Sequence, residues 1–473
     1  MEFFNSNLPT ISWFLYLFSA VLFIEGLRLM NSPRTARKGN FVSIAGMSIA
    51  FIIAMFNSFY KGFELTSAII VLIIGIAIGA IFGFVAAKKV KMTAMPQLVS
   101  IFNTVGGGAA ALVAINDALS VANQEIYVFV TIILGIIIGS VTFSGSLIAA
   151  GKLQGIISGS PIKVPLKKVI DGLCIIGAII CAYMLISGNM FGYEIWVPVT
   201  ALTIFALIIG ITFVLPIGGA DMPVVISILN ACTGTAVAMA GFVINNLIMI
   251  VAGALVGAAG GILSKLMAQA MNRSLINILA GGFGDTGIVD ASDSGAAMSL
   301  VETSADDVAV QMAYAARVII VPGYGLAVAG AQHKIADLTK ILENKGVEVI
   351  FAIHPVAGRM PGHMNVLLAE ASISYDKLIA LEDVNPMFPT ADIALVVGAN
   401  DVTNPAARRT GTPISGMPIL DVDAAKSVVV VKRGRGKGYA GIENELYGLP
   451  QTKMLYGDAE KAVASIISAI KEL

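Results

Sequence analysis

Charge is scarce in this sequence. Only 13% of its 473 residues are Asp, Glu, Lys or Arg, 57% are hydrophobic and the mean hydropathy is +0.86, which excludes an ordinary water-soluble globular protein. Histidine is scarcer still. His333, His354 and His363 all fall in the last third, so the long apolar part carries no side chain whose ordinary pKa lies near neutrality. Cys174, Cys181 and Cys232 are the whole cysteine complement and lie in hydrophobic stretches, where they read as small packing residues rather than as disulfides or metal ligands. An excess of positive charge is missing too, since 30 Lys and Arg balance 30 Asp and Glu, and nothing points to nucleic acid. The N-terminus has no basic leader region or small-residue cleavage site, so the apolar run Leu15–Leu27 reads as part of a full-length span.

What is present is length of apolar run. Stretches of about 20 residues, enough to cross a bilayer, recur at Pro9–Met30, Phe41–Ser58, Leu65–Ala87, Pro96–Ile115, Glu125–Ser146, Val169–Ser187, Ile195–Leu215, Met222–Val243 and Leu247–Met267, predicting about nine transmembrane helices. Up to Ala270 there are 13 Lys and Arg against 8 Asp and Glu; from Met271 onward there are 17 against 22. A basic membrane part therefore precedes an acidic soluble part. Alternate connections carry Arg28, Arg34, Arg37 and Lys38, then Lys88, Lys89 and Lys91, then Lys152, Lys163, Lys167 and Lys168, whereas the other side has Lys61, Glu64, Asp117 and Glu194. By the positive-inside rule the N-terminus lies outside and everything after Met267 is cytoplasmic, with Trp13 and Trp196 as interface anchors.

The spans are rich in small residues, as in Gly106-Gly107-Gly108-Ala109-Ala110-Ala111 and the run from Gly253 to Gly261, which permit close helix packing. Polar groups at membrane depth are few: Asn103, Thr104, Asn230, Thr233, Asn245 and Asn246, with Asp221 at a helix entrance. Such groups either serve a pathway or hydrogen-bond neighbouring helices. Glu25 and Asp171, beside basic neighbours at helix ends, read as interface-solvated.

After the last span, 271–316 reads as a linker and 317–473 as a separate α/β domain. Val318–Val321 is a buried-strand run that ends in Pro322-Gly323-Tyr324-Gly325-Leu326-Ala327-Val328; a helical pattern continues to Asn344, and a second strand, Val347–Ile353, follows. Strand, glycine turn, helix, strand is the start of a doubly wound, Rossmann-like sheet that binds a dinucleotide, with Ile393–Val397, Ser427–Val431 and Lys453–Tyr456 as further strands. Where an NAD-binding version ends its second strand on a carboxylate, this chain has Ile353-His354-Pro355. A basic run, Lys432-Arg433-Gly434-Arg435-Gly436-Lys437-Gly438-Tyr439, follows a later strand and is either a seat for a 2′-phosphate or a solvated turn.

Long stretches of the chain resemble the β subunit of proton-translocating NAD(P) transhydrogenase: Gly218 to Val225, Ala270 to Ser274, Pro322 to Gly325, His354 to Ala371 and Gly398 to Ala407. The resemblance implies a polytopic membrane domain, 1–270, that translocates protons, and an NADP(H)-binding domain that exchanges hydride, Re/Si-specifically, with NAD(H) on an α subunit. It implies no flavin or metal, an αβ pair that dimerises, and a bacterial inner membrane. It also implies that Gly323, Tyr324, Gly325 and Val328 form the fingerprint turn and that Val356, Ala357, Gly358, Arg359, Met360 and Pro361 lie along the pyrophosphate. Gly398, Ala399, Asn400, Asp401 and Val402 lie by the nicotinamide, Asp401 being the candidate proton sensor. Gly416, Met417, Asp458 and Ala459 supply further nucleotide contacts, Lys432 and Arg433 the 2′-phosphate pair, and Gly438 and Tyr439 belong to a lid. His354 and His363 are either loop packing or functional.

One departure concerns the membrane part. Some members of the family carry a histidine where this chain has Asn103, where it is thought to relay protons. Here either a partner supplies the titrating group or waters held by Asn103 and Asn230 carry the proton, with Asp221 exchanging it on the cytoplasmic side. A nucleotide-gated transporter or channel would share the layout but should show a substrate site in broken helices at mid-membrane, and the sequence has no clear pair of such segments. A self-contained NADPH dehydrogenase would need a second redox centre, and no ligand set for one is visible.

Overall fold

The computed structural model describes the chain apart from residues 1, 61–66, 91–93, 121–125, 160, 163, 189–191, 219–220, 272–273, 276–277, 279–299, 359–361, 411, 413 and 435–441. It divides into two compact units, one comprising Met1–Gly218 with Val225–Ser264 and the other Gly219–Val224 with Lys265–Leu473.

The first unit is helical. Among the described residues, nine helices are long and apolar enough to span a bilayer: α1 (Glu2–Leu29), α2 (Pro33–Tyr60), α3 (Ser67–Lys89), α4 (Met95–Ser120), α5 (Ile126–Gln154), α6 (Lys167–Ser187), α7 (Trp196–Val214), α8 (Met222–Val243) and α9 (Leu247–Ala270). The protein is thus an integral membrane protein. Several helices outrun their apolar stretches. Proline favours the first helical position, so α2 begins at Pro33 and Arg34, Arg37 and Lys38 ride on its opening turns rather than in a loop.

Small and hydroxyl residues join these helices. The Gly106–Gly108 run meets two neighbours at once: a β-carbon on Gly106 would lie 2.9 Å from Thr233 of α8, one on Gly107 3.0 Å from the Gly139 carbonyl of α5, and one on Gly108 2.8 Å from the Phe143 ring. Ser144 Oγ donates to Leu207 O at 2.9 Å, tying α5 to α7. Thr212 Oγ1 donates to Asp171 Oδ1 at 2.6 Å, and Lys167 pairs with the same carboxylate at 3.1 Å, so Asp171 anchors α6 to α7 rather than merely being solvated. Glu25, by contrast, makes a long, exposed pair with Arg28. Lys152, expected in a cytoplasmic loop, is buried on the last turn of α5. Its ammonium donates to Leu215 O at 2.5 Å and Ile217 O at 2.8 Å, carbonyls that the end of α7 leaves without intrahelical partners.

The second unit is α/β. Seven parallel strands, β1 (Val301–Glu302), β2 (Arg317–Pro322), β3 (Glu348–Ile353), β4 (Leu378–Ala380), β5 (Ile393–Val397), β6 (Ser427–Lys432) and β7 (Thr452–Tyr456), lie in the order β1-β7-β6-β5-β2-β3-β4. Strand β5 is buried throughout and β2 and β6 nearly so, as expected of parallel strands covered on both faces. The order from β4 to β7 is that of a Rossmann-like doubly wound sheet, and its direction of winding reverses between β2 and β5.

Three features differ from expectation. The helix expected to run to Asn344 is two helices, α11 (Tyr324–Ala329) and α12 (Gln332–Asn344). Gly330 is left-handed at φ 66° and the amide of Ala331 returns to Leu326 O, the hydrogen-bond pattern that ends a helix. The sheet also gains β4, and β1 together with α10 (Ala305–Ala313) falls inside 271–316. Helix α10 starts on Ser304, whose side chain accepts from the Asp307 amide, and buries Val308, Ala309 and Met312 while packing on α15 (Ala459–Glu472).

Candidate functional site

In an open α/β sheet a ligand binds beyond the carboxyl ends of the strands, where the winding reverses. Here that point lies between β2 and β5. The turn after β2 and the turn after β5 touch backbone to backbone: the Gly323 amide donates to Val397 O at 2.9 Å and the Gly325 amide to Gly398 O at 3.0 Å. A β-carbon on Gly323 would sit 2.3 Å from Gly398 O, and Gly398 itself has φ +70°. Only glycine fits this crossing. Tyr324 opens α11 beside it, its ring 6.3 Å from that of His363, while Val328 is half exposed one turn on.

The loop after β3 carries Val356, Ala357 and Gly358, and is fixed by His354, which is 2% exposed. Its Nδ1 accepts from the Val356 amide at 3.2 Å, which assigns the proton to Nε2, 2.7 Å from Pro418 O. His354 therefore bolts the loop after β3 to the loop containing Gly416 and Met417, a packing role. Burial pushes its pKa below the ordinary histidine value, against the opposing pull of Pro418 O. Gly416 and Met417 also line a cavity of about 440 Å³ together with Asn385, Arg408 and Asp421. Arg359, Met360 and Pro361 lie outside the described residues, as do Gly438 and Tyr439.

Asn400, Asp401 and Val402 follow β5 and meet the residues at the end of β6. Lys432 Nζ sits 4.6 Å over the Tyr447 ring and donates to its hydroxyl at 3.4 Å. Burial pushes the Lys432 pKa down and the Asp401 charge opposes that shift; burial likewise pushes the Tyr447 phenol up. Arg433 pairs with Asp458 at 2.6 Å. Asp458 also caps α15 through the Glu460 amide, and Ala459 begins that helix. The basic pair and Asp458-Ala459 are therefore neighbours at the carboxyl end of the sheet.

Sequence reasoning missed the residues that lace these loops. Asn404 and Asn444 are buried, and each turns its side chain onto the amide two residues on, at Ala406 and Leu446. Asn404 Nδ2 donates to Glu443 O and Asn444 Nδ2 to Asn400 O, both across to the other loop. The local signal was the Asx turn at Asn404-Pro405 and Asn444-Glu445; the cross-links are tertiary and leave no local pattern.

In the membrane unit, Asn103 is 4% exposed and its Nδ2 donates to Ile226 O on α8 at 3.4 Å, while Thr233 Oγ1 donates to Asn103 O at 3.4 Å. Residues 226, 230 and 233 share one face of α8 by helical spacing, so Asn230 belongs to the face that meets α4. Asp221 stands in the turn just before α8.

A family model described as NAD(P) transhydrogenase beta subunit matches residues 12–469. The chain belongs to the NAD(P) transhydrogenase beta subunit family. It is 45% identical, over 468 aligned residues covering 96% of this chain and 98% of the relative, to a Rhodospirillum rubrum protein described as NAD(P) transhydrogenase subunit beta. A protein so described from a named strain of that species matches to the same extent. Among the described residues, this transhydrogenase beta subunit joins nine apolar helices of membrane-spanning length to a Rossmann-like sheet.

Proposed function

We propose that this beta subunit presents NADP(H) at the carboxyl end of its sheet for hydride exchange with NAD(H) held by an α subunit, coupled to proton movement through the membrane helices. The observation that carries this is the Gly323–Gly398 crossing, a cradle that any β-carbon would fill, with a basic pair at the end of β6 and no carboxylate at the end of β3. Bound NADP(H) supplies the nicotinamide that gives or takes the hydride.

The chain's own residues bind and orient it. Gly323, Tyr324, Gly325 and Val328, with Val356 to Pro361, follow the pyrophosphate. Gly398 to Val402 border the nicotinamide, where Asp401 holds the sensing proton. Gly416, Met417, Asp458 and Ala459 complete the contacts, Lys432 and Arg433 take the 2′-phosphate, and Gly438 and Tyr439 cover it. Asn103 and Asn230 orient water on the facing surfaces of α4 and α8, and Asp221 exchanges the proton with the cytoplasm.

This reading keeps a proton-translocating part at 1–270 and a nucleotide-binding part, and extends the latter from 317 back to include β1 and α10. The alternation of basic connections supports an N-terminus outside and a cytoplasmic second unit, and membership of the family supports a bacterial inner membrane and a dimer of αβ pairs. Calorimetric titration of the purified chain should show NADP+ bound far more tightly than NAD+; equal affinities would overturn the nucleotide assignment.

A further inference from the structure

The residues placed around the nicotinamide and those placed around the 2′-phosphate follow different strands, β5 and β6, and one buried side chain touches both. Tyr447, in the turn before β7, is only 8% exposed. Its hydroxyl donates to Asn400 Oδ1 at 3.0 Å and accepts from Lys432 Nζ at 3.4 Å, and its ring carries the same ammonium at 4.6 Å. Asn444 holds the backbone of Asn400 from the other side, at 2.9 Å, so the Asn400 side chain faces Tyr447 from a fixed loop. Asp401 is next in sequence and acts electrostatically on both Lys432 and Tyr447.

We propose that Tyr447 is a positioning residue that joins Lys432 to the Asn400–Asp401 loop, so that the affinity for a nucleotide 2′-phosphate and the state of Asp401 depend on each other. This rests on the NADP(H) reading above. An anion arriving at Lys432 competes for the ammonium that the Tyr447 hydroxyl and ring share. Withdrawal of the ammonium leaves the hydroxyl with its asparagine neighbours Asn400 and Asn444, and the loop bearing Asp401 loses its cationic neighbour. Conversely, a neutral side chain at 401 no longer competes with the phosphate for Lys432. The phenyl ring alone cannot do this, because it offers no donor to Asn400; the hydroxyl is the coupling atom.

The experiment measures, on the full-length chain in detergent, the ratio of NAD+ to NADP+ dissociation constants by calorimetry. Asp401→Asn should raise that ratio about tenfold in the otherwise unaltered chain, the size expected of one hydrogen bond to a charged group. In the Tyr447→Phe chain the same substitution should change it only about threefold, because the direct attraction of Asp401 for Lys432 remains while the hydroxyl link is gone. Tyr447→Phe keeps the ring and its burial, so its melting temperature should stay close to the parent's. Asn400→Ser, whose shorter side chain cannot reach Tyr447, should weaken the coupling to the same extent and serves if Tyr447→Phe fails to fold. An equal effect of Asp401→Asn in all three backgrounds would overturn the role of Tyr447 while leaving the NADP(H) site standing. A parent chain with no preference for NADP+ would instead overturn the site and the coupling with it.

Discussion

Lys432 and Arg433 are adjacent in sequence but differ in setting. Lys432 is half-buried over Tyr447, and Arg433 is exposed and paired with Asp458. Both offer charge-assisted contacts to a 2′-phosphate, so neutralising both should erode the preference for NADP+ over NAD+ by about 2–4 kcal/mol. Unchanged discrimination by calorimetry would contradict their assignment. His354 gives a pH dependence. Its folded pKa is depressed by burial, so the neutral form is favoured in the native state and the stability it contributes is full above the ordinary histidine pKa of about 6.5. That stability is lost as pH falls below about 6.5 towards the folded value. Urea midpoints measured from neutral to mildly acidic pH should fall in the parent and flatten in His354→Gln; parallel curves would contradict it. Lys152 bridges two carbonyls just past α7, and although Leu215 O keeps the Ile162 amide, Lys152→Met should cost about 1–3 kcal/mol through the lost charged hydrogen bonds. Thermal unfolding in detergent checks this, and a melting temperature equal to the parent's would contradict the clamp.

At the scale of elements, the nine spans were legible because each is an apolar run of bilayer length, and β2, β3, β5 and β6 because buried parallel strands read as short aliphatic runs. β1 and β4 were not, being strands of two and three residues at opposite edges of the sheet, too short for any periodicity. The break at Gly330 was hidden because the apolar spacing of α12 continues in phase after α11, and only the left-handed Gly330 marks the end. In the site, the glycine turn and basic run carry local signatures, whereas Tyr447, Asn404 and Asn444 act through contacts between loops far apart in sequence. Helix α10 yields a prediction of its own. Val308 and Met312 are fully buried, and each contributes about 1.5–3 kcal/mol. A soluble fragment beginning at residue 300 should therefore be at least about 3 kcal/mol more stable than one beginning at 318. Equal denaturation midpoints would show that α10 and β1 add nothing.

For the whole molecule, two parts of opposite character share one chain: a helical unit knit by glycine contacts and hydroxyl bridges, and a parallel sheet with a glycine cradle where its winding reverses. The described residues contain one doubly wound sheet, and a hydride exchange between two nicotinamides needs two nucleotide sites. On the proposed function the second comes from the α subunit. The most direct test is hydride transfer from NADPH to an NAD+ analogue in vesicles containing this chain, with internal pH recorded. The account predicts no turnover from the chain alone, and turnover with a matching pH change once the α subunit is added. Rapid transfer by the purified chain alone, or transfer with the α subunit and no pH change, would contradict it.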